Sequence, residues 1–228
     1  MLYPPEFRDR SRLHYYSTLF NSVEINQTFY KLPKRTTVDN WVEDVNPGFR
    51  FTFKMPKQVS HSSQLNYEKD ELKRFVDMIS GIRNPGCILI QLPSGTTADA
   101  LPQLTALLKD TNDFSNNRWK IAVEFRHDSW YHNSITNKLK KQNVAVVIHD
   151  YAKGKTPEDL ITADFIYLRF HGPEPRYRGS YSDNFLFGTA QKIKEWNTQE
   201  KTVYAYFNNT MGAAYDNLVT LNNLVRKR

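Results

Sequence analysis

The sequence predicts an α/β protein of the TIM-type (β/α) barrel class, lacking its first strand at the N-terminus. Strand-like and helical patterns alternate along the chain, which calls for parallel strands joined by right-handed crossovers. Several strand-like runs close in charged or amide residues, as in Glu124-Phe125-Arg126-His127, Arg169-Phe170-His171 and Phe207-Asn208-Asn209. Polar groups at many strand ends suit a barrel rim better than the single switch point of an open sheet, and no glycine-rich fingerprint follows an early strand.

The chain opens with Met1-Leu2-Tyr3-Pro4-Pro5-Glu6-Phe7 and passes directly into a helical pattern over 10–20, so an eighth strand is absent or lies upstream of this start. Apolar or alternating runs over 22–28, 49–54, 87–92, 119–126, 144–150, 165–171 and 202–208 predict seven strands. Between most of them, helical periodicity covers roughly 37–45, 68–82, 98–109, 135–141 and 185–196, with a last helix near 213–225. Gly154 and Pro157 would interrupt a helix between Tyr151 and Ala163, so that link is expected to be irregular. The gap left by the missing strand is expected between the 22–28 and 202–208 strands, exposing two edges. One domain over 1–228 accommodates the length, and no repeat or linker divides it.

Hydrophobic residues at 39% and aromatics at 14% supply a core and exclude a disordered chain. Thirty-one Lys and Arg against 24 Asp and Glu leave +7, a balance that favours anionic partners without naming one. Part of that excess is the solvated tail Arg226-Lys227-Arg228. Cys87 is the single cysteine, which rules out an intramolecular disulfide or a thiolate zinc cluster and fits a reducing cytoplasm. Residues 1–10 lack a signal peptide's apolar stretch and no run is long enough to span a bilayer, so a cytoplasmic protein without a membrane partner is expected. The oligomeric state leaves no signal.

Candidate chemistry gathers at the strand ends. Period-two geometry puts Glu24 and Asn26 on one face, Glu124 and Arg126 on another, and Arg169 and His171 on a third. A carboxylate inside a barrel needs a cation, and Lys54, Arg126 and Arg169 each close a strand. Such charges could neutralise one another in a structural ring, or hold a phosphate or sugar through guanidinium forks and carboxylates. Burying so many charges for stability alone is poor energetics, which favours a ligand site. Glu24, Glu124 and Asp150 are the acid–base candidates, with His171, Asn26 and Asn208 orienting the ligand.

The loop from His171 to Tyr181 offers Tyr177 and Tyr181 for stacking, and Asn209 follows Asn208 at the last strand end. Helix-start amides near Gly212 could receive an anion, whereas Trp130 and Trp196 read as core. No cofactor is expected. A divalent metal is the alternative, drawing on Glu24, His61, Glu124, His149, Asp150 or His171, although no His-Glu-x-x-His spacing supports it. Phosphate loops, nucleophile elbows and Cys–His arrangements are all missing from the sequence.

The segments Val23-Glu24-Ile25-Asn26-Gln27-Thr28-Phe29-Tyr30, Phe51-Thr52-Phe53-Lys54, Glu124-Phe125-Arg126, Ser129-Trp130, Leu168-Arg169-Phe170-His171-Gly172 and Tyr206-Phe207-Asn208-Asn209 together resemble the YecE-like family, also called domain of unknown function 72. The resemblance spans nearly the whole chain. It implies a TIM-type barrel without an established activity, structurally similar to the xylose-isomerase and endonuclease IV group. It also implies a glycine-rich first strand ahead of the Tyr-Pro-Pro segment, whereas this sequence starts at Tyr3-Pro4-Pro5.

The leading expectation is a barrel that binds a small anionic ligand, phosphorylated or polyhydroxylated, at its C-terminal rim, and that reads as an enzyme of unspecified reaction. A metal-dependent phosphodiesterase acting on nucleic acid is one alternative, by fold analogy and basic charge. A non-catalytic nucleic-acid or metabolite-binding module is the other.

Overall fold

Strands and helices alternate as expected, and every pairing between β1, β2 and β3, and between β6, β7 and β8, is parallel. The structure, a computed structural model, describes residues 4, 7–151, 154–157 and 159–227. Most of the opening segment, including Tyr3 and Pro5, and the last residue of the basic tail lie outside the described residues. The chain divides into two compact units, Met1–Ala122 and Val123–Arg228.

In the first unit, β1 (Ser22–Ile25), β2 (Arg50–Lys54) and β3 (Pro85–Gln91) pair in that order. Helix α1 (Arg12–Leu19) precedes β1, and α2 (Arg35–Asp44) joins β1 to β2. The short α3 (Lys57–Ser60) and α4 (Lys69–Ile79) lead from β2 to β3, and α5 (Leu101–Phe114) follows β3. Phe51, Thr52 and Phe53 are all buried, the continuous pattern of a parallel strand covered on both faces. Thr52 is tolerated there because its hydroxyl oxygen accepts from the Cys87 amide at 3.0 Å. Helix α4 turns Leu72, Phe75, Val76 and Ile79 inward, the spacing of one helical face.

In the second unit, β4 (Lys120–Glu124) runs in across the boundary, followed by α6 (Asn133–Lys141). Two-residue strands β5 (Ala145–Val146) and β6 (Ile148–His149) replace the one strand expected over 144–150. Two threonines of the link after Tyr151, whose residues 152, 153 and 158 lie outside the described ones, explain the break. The Thr162 hydroxyl accepts from Val146 N and donates to Val144 O, while the Thr156 hydroxyl accepts from His149 N and donates to Val147 O. Side chains thus take ladder positions that a neighbouring strand would otherwise fill. Strand β7 (Phe165–Phe170), helix α7 (Asp183–Thr198), strand β8 (Thr202–Phe207) and helix α8 (Ala214–Arg226) complete the unit.

Alternation along β7 decides what each face does. Ile166, Leu168 and Phe170 pack with Leu186, Ala190, Ile193 and Trp196 of α7 and Leu221 of α8. Phe165 and Tyr167 face the other way, against Tyr204 and Tyr206 of β8, which leaves Arg169 on that face above an aromatic layer. Trp130 stacks on Phe125 at 4.7 Å and is core, as the sequence suggested. Among the described residues the strands fall into two parallel sheets and neither closes on itself, so the barrel expectation stands only as parallel α/β architecture. No described helix is long and apolar enough to cross a membrane.

Candidate functional site

The Glu124 carboxylate, wholly buried at the end of β4, is the centre of the second unit's polar cluster. Its Oε2 accepts from Arg169 Nη1 at 2.6 Å, and its Oε1 is ion-paired with Arg126 Nη2. His171 Nε2 lies 3.5 Å from Glu124 Oε1 and 3.2 Å from Arg126 Nη2. Arg169 Nη2 also donates to Asn208 Oδ1 at 3.3 Å. The two-residue spacings Glu124/Arg126 and Arg169/His171 therefore bring all four side chains to one place, with Asn208 beside them. The arginines retain 8% and 3% exposure, so the cluster lies under the surface.

Burial alone would push the Glu124 carboxyl up, but Arg169, His171 and Arg126 outweigh it and hold the group well below the usual carboxylate range. A carboxylate held ionised this firmly is a weak base and a good counter-charge. Burial pulls His149 down to about 4. Both of its ring nitrogens are engaged, Nε2 with Phe125 O at 2.8 Å and Nδ1 with the Tyr151 amide at 3.2 Å. Glu124, His149 and His171 present ligand atoms within 4.8 Å of one another, so a metal could draw on them. An ion there would have to displace the His149 hydrogen bonds and sit beside two guanidiniums.

Asp150 lies next to this cluster, with both oxygens committed. Oδ1 accepts from the His171 amide at 2.7 Å and Oδ2 from the Tyr181 hydroxyl, which itself accepts from the Gly172 amide at 2.6 Å. Burial and Asp150 push the Tyr181 hydroxyl up. Its ring packs on Phe170, Phe185 and Phe207, in core rather than in a stacking position. Asn209, fully buried, donates through Nδ2 to Gly179 O at 3.0 Å and Asn217 Oδ1 at 3.1 Å, and Asn217 Oδ1 also accepts from Tyr181 N. These three residues fasten the 172–181 loop.

Glycine is required where that loop closes. Gly172 has φ +103°, and a Cβ added there would sit 2.3 Å from Arg178 O. Ala213 N donates to Gly179 O at 3.2 Å, so one of the amides near Gly212 expected to receive an anion is already occupied by the loop. Gly172→Ala should lower stability by roughly 1–3 kcal/mol, the range for forced overpacking, with the strained φ adding to it. A thermal melt within experimental error of wild type would show that the loop does not close this way.

In the first unit, Glu24, Asn26 and Lys54 occupy the C-terminal ends of β1 and β2 or the turn that follows. Asn26 Nδ2 donates to Glu24 Oε1 at 2.9 Å, Lys54 Nζ donates to Gln91 Oε1 at 2.9 Å, and Lys54 Nζ lies 4.1 Å from the Phe29 ring centre. Burial, reinforced by Lys54 and Lys57, pulls His61 down to about 4.

Two participants escaped the sequence reading. Gln91 closes a strand in a polar residue, the same signal that marked Lys54 and Arg169. Tyr151, 37% exposed, lies with its ring centre 3.9 Å from the Arg126 guanidinium, and its place directly after a strand-end carboxylate was the available hint. Tyr177, 43% exposed, has its ring centre 5.7 Å from that of His171 and 6.4 Å from that of Tyr151.

Similarity to known proteins agrees with this architecture. The UPF0759 protein YecE of Escherichia coli K12 is 33% identical over 120 residues, 52% of this chain and 43% of that protein, so the match spans less than half the length of that relative. The UPF0759 protein YunF of Bacillus subtilis 168 is 23% identical over 95% of this chain and 87% of its own. A crystal structure of a DUF72 family protein from Enterococcus faecalis V583 superposes with TM-score 0.81 at 20% identity, covering 97% of this chain and 90% of that one. One from Thermotoga maritima MSB8 gives 0.71 at 21%, covering 94% and 88%. At these identities the likeness shows shared fold alone. A family model described as protein of unknown function DUF72 matches residues 1–228, and the chain belongs to that family.

Proposed function

We propose that the second unit binds a small anionic ligand, phosphorylated or polyhydroxylated, with Arg126 and Arg169 supplying charge and Asn208 orienting it. The observation that carries this reading is a set of buried side-chain nitrogens without a hydrogen-bond partner in one cluster, Arg126 Nε, His171 Nδ1 and Asn208 Nδ2, beside Glu124 Oε1, which has no hydrogen-bond partner but is ion-paired with Arg126. Native interiors rarely leave such atoms unpaired, and a ligand offering acceptor oxygens would satisfy them. Both guanidiniums pair with the one Glu124 carboxylate there, so their charge is concentrated beside these atoms.

Glu124 serves as their counter-ion and Asp150 as a loop fastener, which leaves His171 as the group placed to exchange a proton with the ligand. The burial of both arginines suits a small molecule better than a nucleic-acid backbone, which needs exposed cations. The same reading places the strands in a TIM-type barrel with its chemistry at the C-terminal strand ends, supported by parallel pairing and polar strand termini.

The metal-dependent alternative draws on Glu124, His149 and His171, and one experiment separates the two. Inorganic phosphate, ribose 5-phosphate, glucose and short single-stranded DNA would be screened by thermal shift with and without chelator. Phosphate-bearing small molecules should raise the midpoint equally in both conditions, and Arg126→Ala should abolish the rise. Stabilisation that disappears with chelator and returns with Zn²⁺ or Mn²⁺ would transfer the site to a metal.

A further inference from the structure

Two adjacent residues of the 172–181 loop hold a backbone conformation that their side chains disfavour. Arg176 has φ +64° and Tyr177 φ +62°, both left-handed, although neither is glycine, asparagine or aspartate. Each costs an L-residue roughly 1 kcal/mol or more. The turn is held by its surroundings: Glu174 N donates to Arg178 O, Met211 N donates to Tyr177 O at 3.1 Å, and Gly179 packs against Pro173 and Glu174. Glycine at 177 would relieve the strain, and a ring that is 43% exposed repays little of it through burial. Strain at an exposed bulky residue is a reason to ask what its side chain does.

That conformation sets the Tyr177 ring beside His171 and Tyr151, while Tyr151 in turn lies over the Arg126 guanidinium. Two half-exposed tyrosines and a guanidinium plane therefore stand next to the buried donors of Arg126 and His171. Flat polarisable rings are what such a surface accommodates. A sugar ring would present only a C–H face to these tyrosines, whereas a planar base presents a whole π face and so gains more from them.

Building on the anion site proposed above, we propose that Tyr151 and Tyr177 form an aromatic lip for a planar ring attached to the anion, so that the ligand is of the mononucleotide class. The phosphate occupies the Arg126–Arg169 cluster and the base lies against the tyrosines. Base–aromatic stacking is usually worth roughly 5- to 150-fold in affinity per ring.

Calorimetric titration of the full chain with AMP, ribose 5-phosphate and inorganic phosphate tests this. Wild type should bind AMP more tightly than ribose 5-phosphate. Tyr177→Gly, which removes one of the two rings while relieving the backbone, should reduce that preference by roughly 5-fold or more, the worth of one ring, without lowering the thermal midpoint and without changing phosphate affinity, and Tyr177→Phe should keep it. Equal binding of AMP and ribose 5-phosphate by wild type, or an unchanged preference in Tyr177→Gly, would overturn the aromatic lip while leaving the anion site standing. Failure of all three ligands to bind would remove the anion site and this inference together.

Discussion

Glu124→Gln should be the most destabilising single substitution in the polar cluster, costing about 3–5 kcal/mol, the usual range when one partner of a buried ion pair is removed. The amide fits the same space but takes away the carboxylate charge that pairs with both buried arginines, Arg126 and Arg169. For a chain of this size the loss corresponds to a fall in thermal midpoint on the order of 6–20 °C. Replacing Glu124, Arg126 and Arg169 together by methionine should recover much of the stability, because an apolar set needs no compensation, while abolishing anion binding. The depressed Glu124 carboxyl contributes stability that is fully present above its ordinary value of 4.5 and is lost as pH falls through its lower folded value. Acid unfolding of Glu124→Gln should accordingly be shallower than that of wild type below that pH. A variant with wild-type stability would mean that Glu124 is not the charge balancing the arginines.

His149 should act in a different pH window and with comparable size. Its folded value near 4 lies below its ordinary 6.5, so between these limits the unfolded chain takes up a proton that the folded chain refuses. Stability therefore falls as pH drops from about 6.5 to about 4, by up to roughly 3 kcal/mol from this group. His149→Gln, which can still donate to Phe125 O, should flatten the profile across that window and leave the Glu124-dependent limb untouched. His61, pulled down to a similar value in the first unit, leaves a residual slope that His61→Gln would remove. An unchanged profile in His149→Gln would show that the ring titrates freely in the folded protein.

Strand positions were legible because continuous apolar runs and period-two alternation are local, and the pairs Glu124/Arg126 and Arg169/His171 followed from that period alone. What failed was long-range. Strand 144–150 breaks because Thr156 and Thr162 bond its backbone from a link whose residues carry no strand or helix periodicity. The first strand stops at Ile25 because Thr28 donates to Ile25 O and Lys54 O, turning the chain into a short 3-10 turn that a β-branched residue conceals in sequence. Tyr181 looked equal to Tyr177 as an exposed loop aromatic, yet Asp150 and three phenylalanines hold it in core. Tyr151 was overlooked since its contact with Arg126 crosses from one strand end to another.

Calorimetric titration of inorganic phosphate into chelator-treated wild type, Arg126→Lys and Arg126→Ala tests the anion site most directly. Lysine keeps the charge and loses the planar fork, whereas alanine loses both. Saturable one-site binding is expected in wild type, weaker in the lysine variant, and weaker by roughly 10- to 150-fold in the alanine variant, the worth of one charge-assisted hydrogen-bonding group. Phosphate binding of equal strength in all three proteins, or none in wild type, would contradict the account.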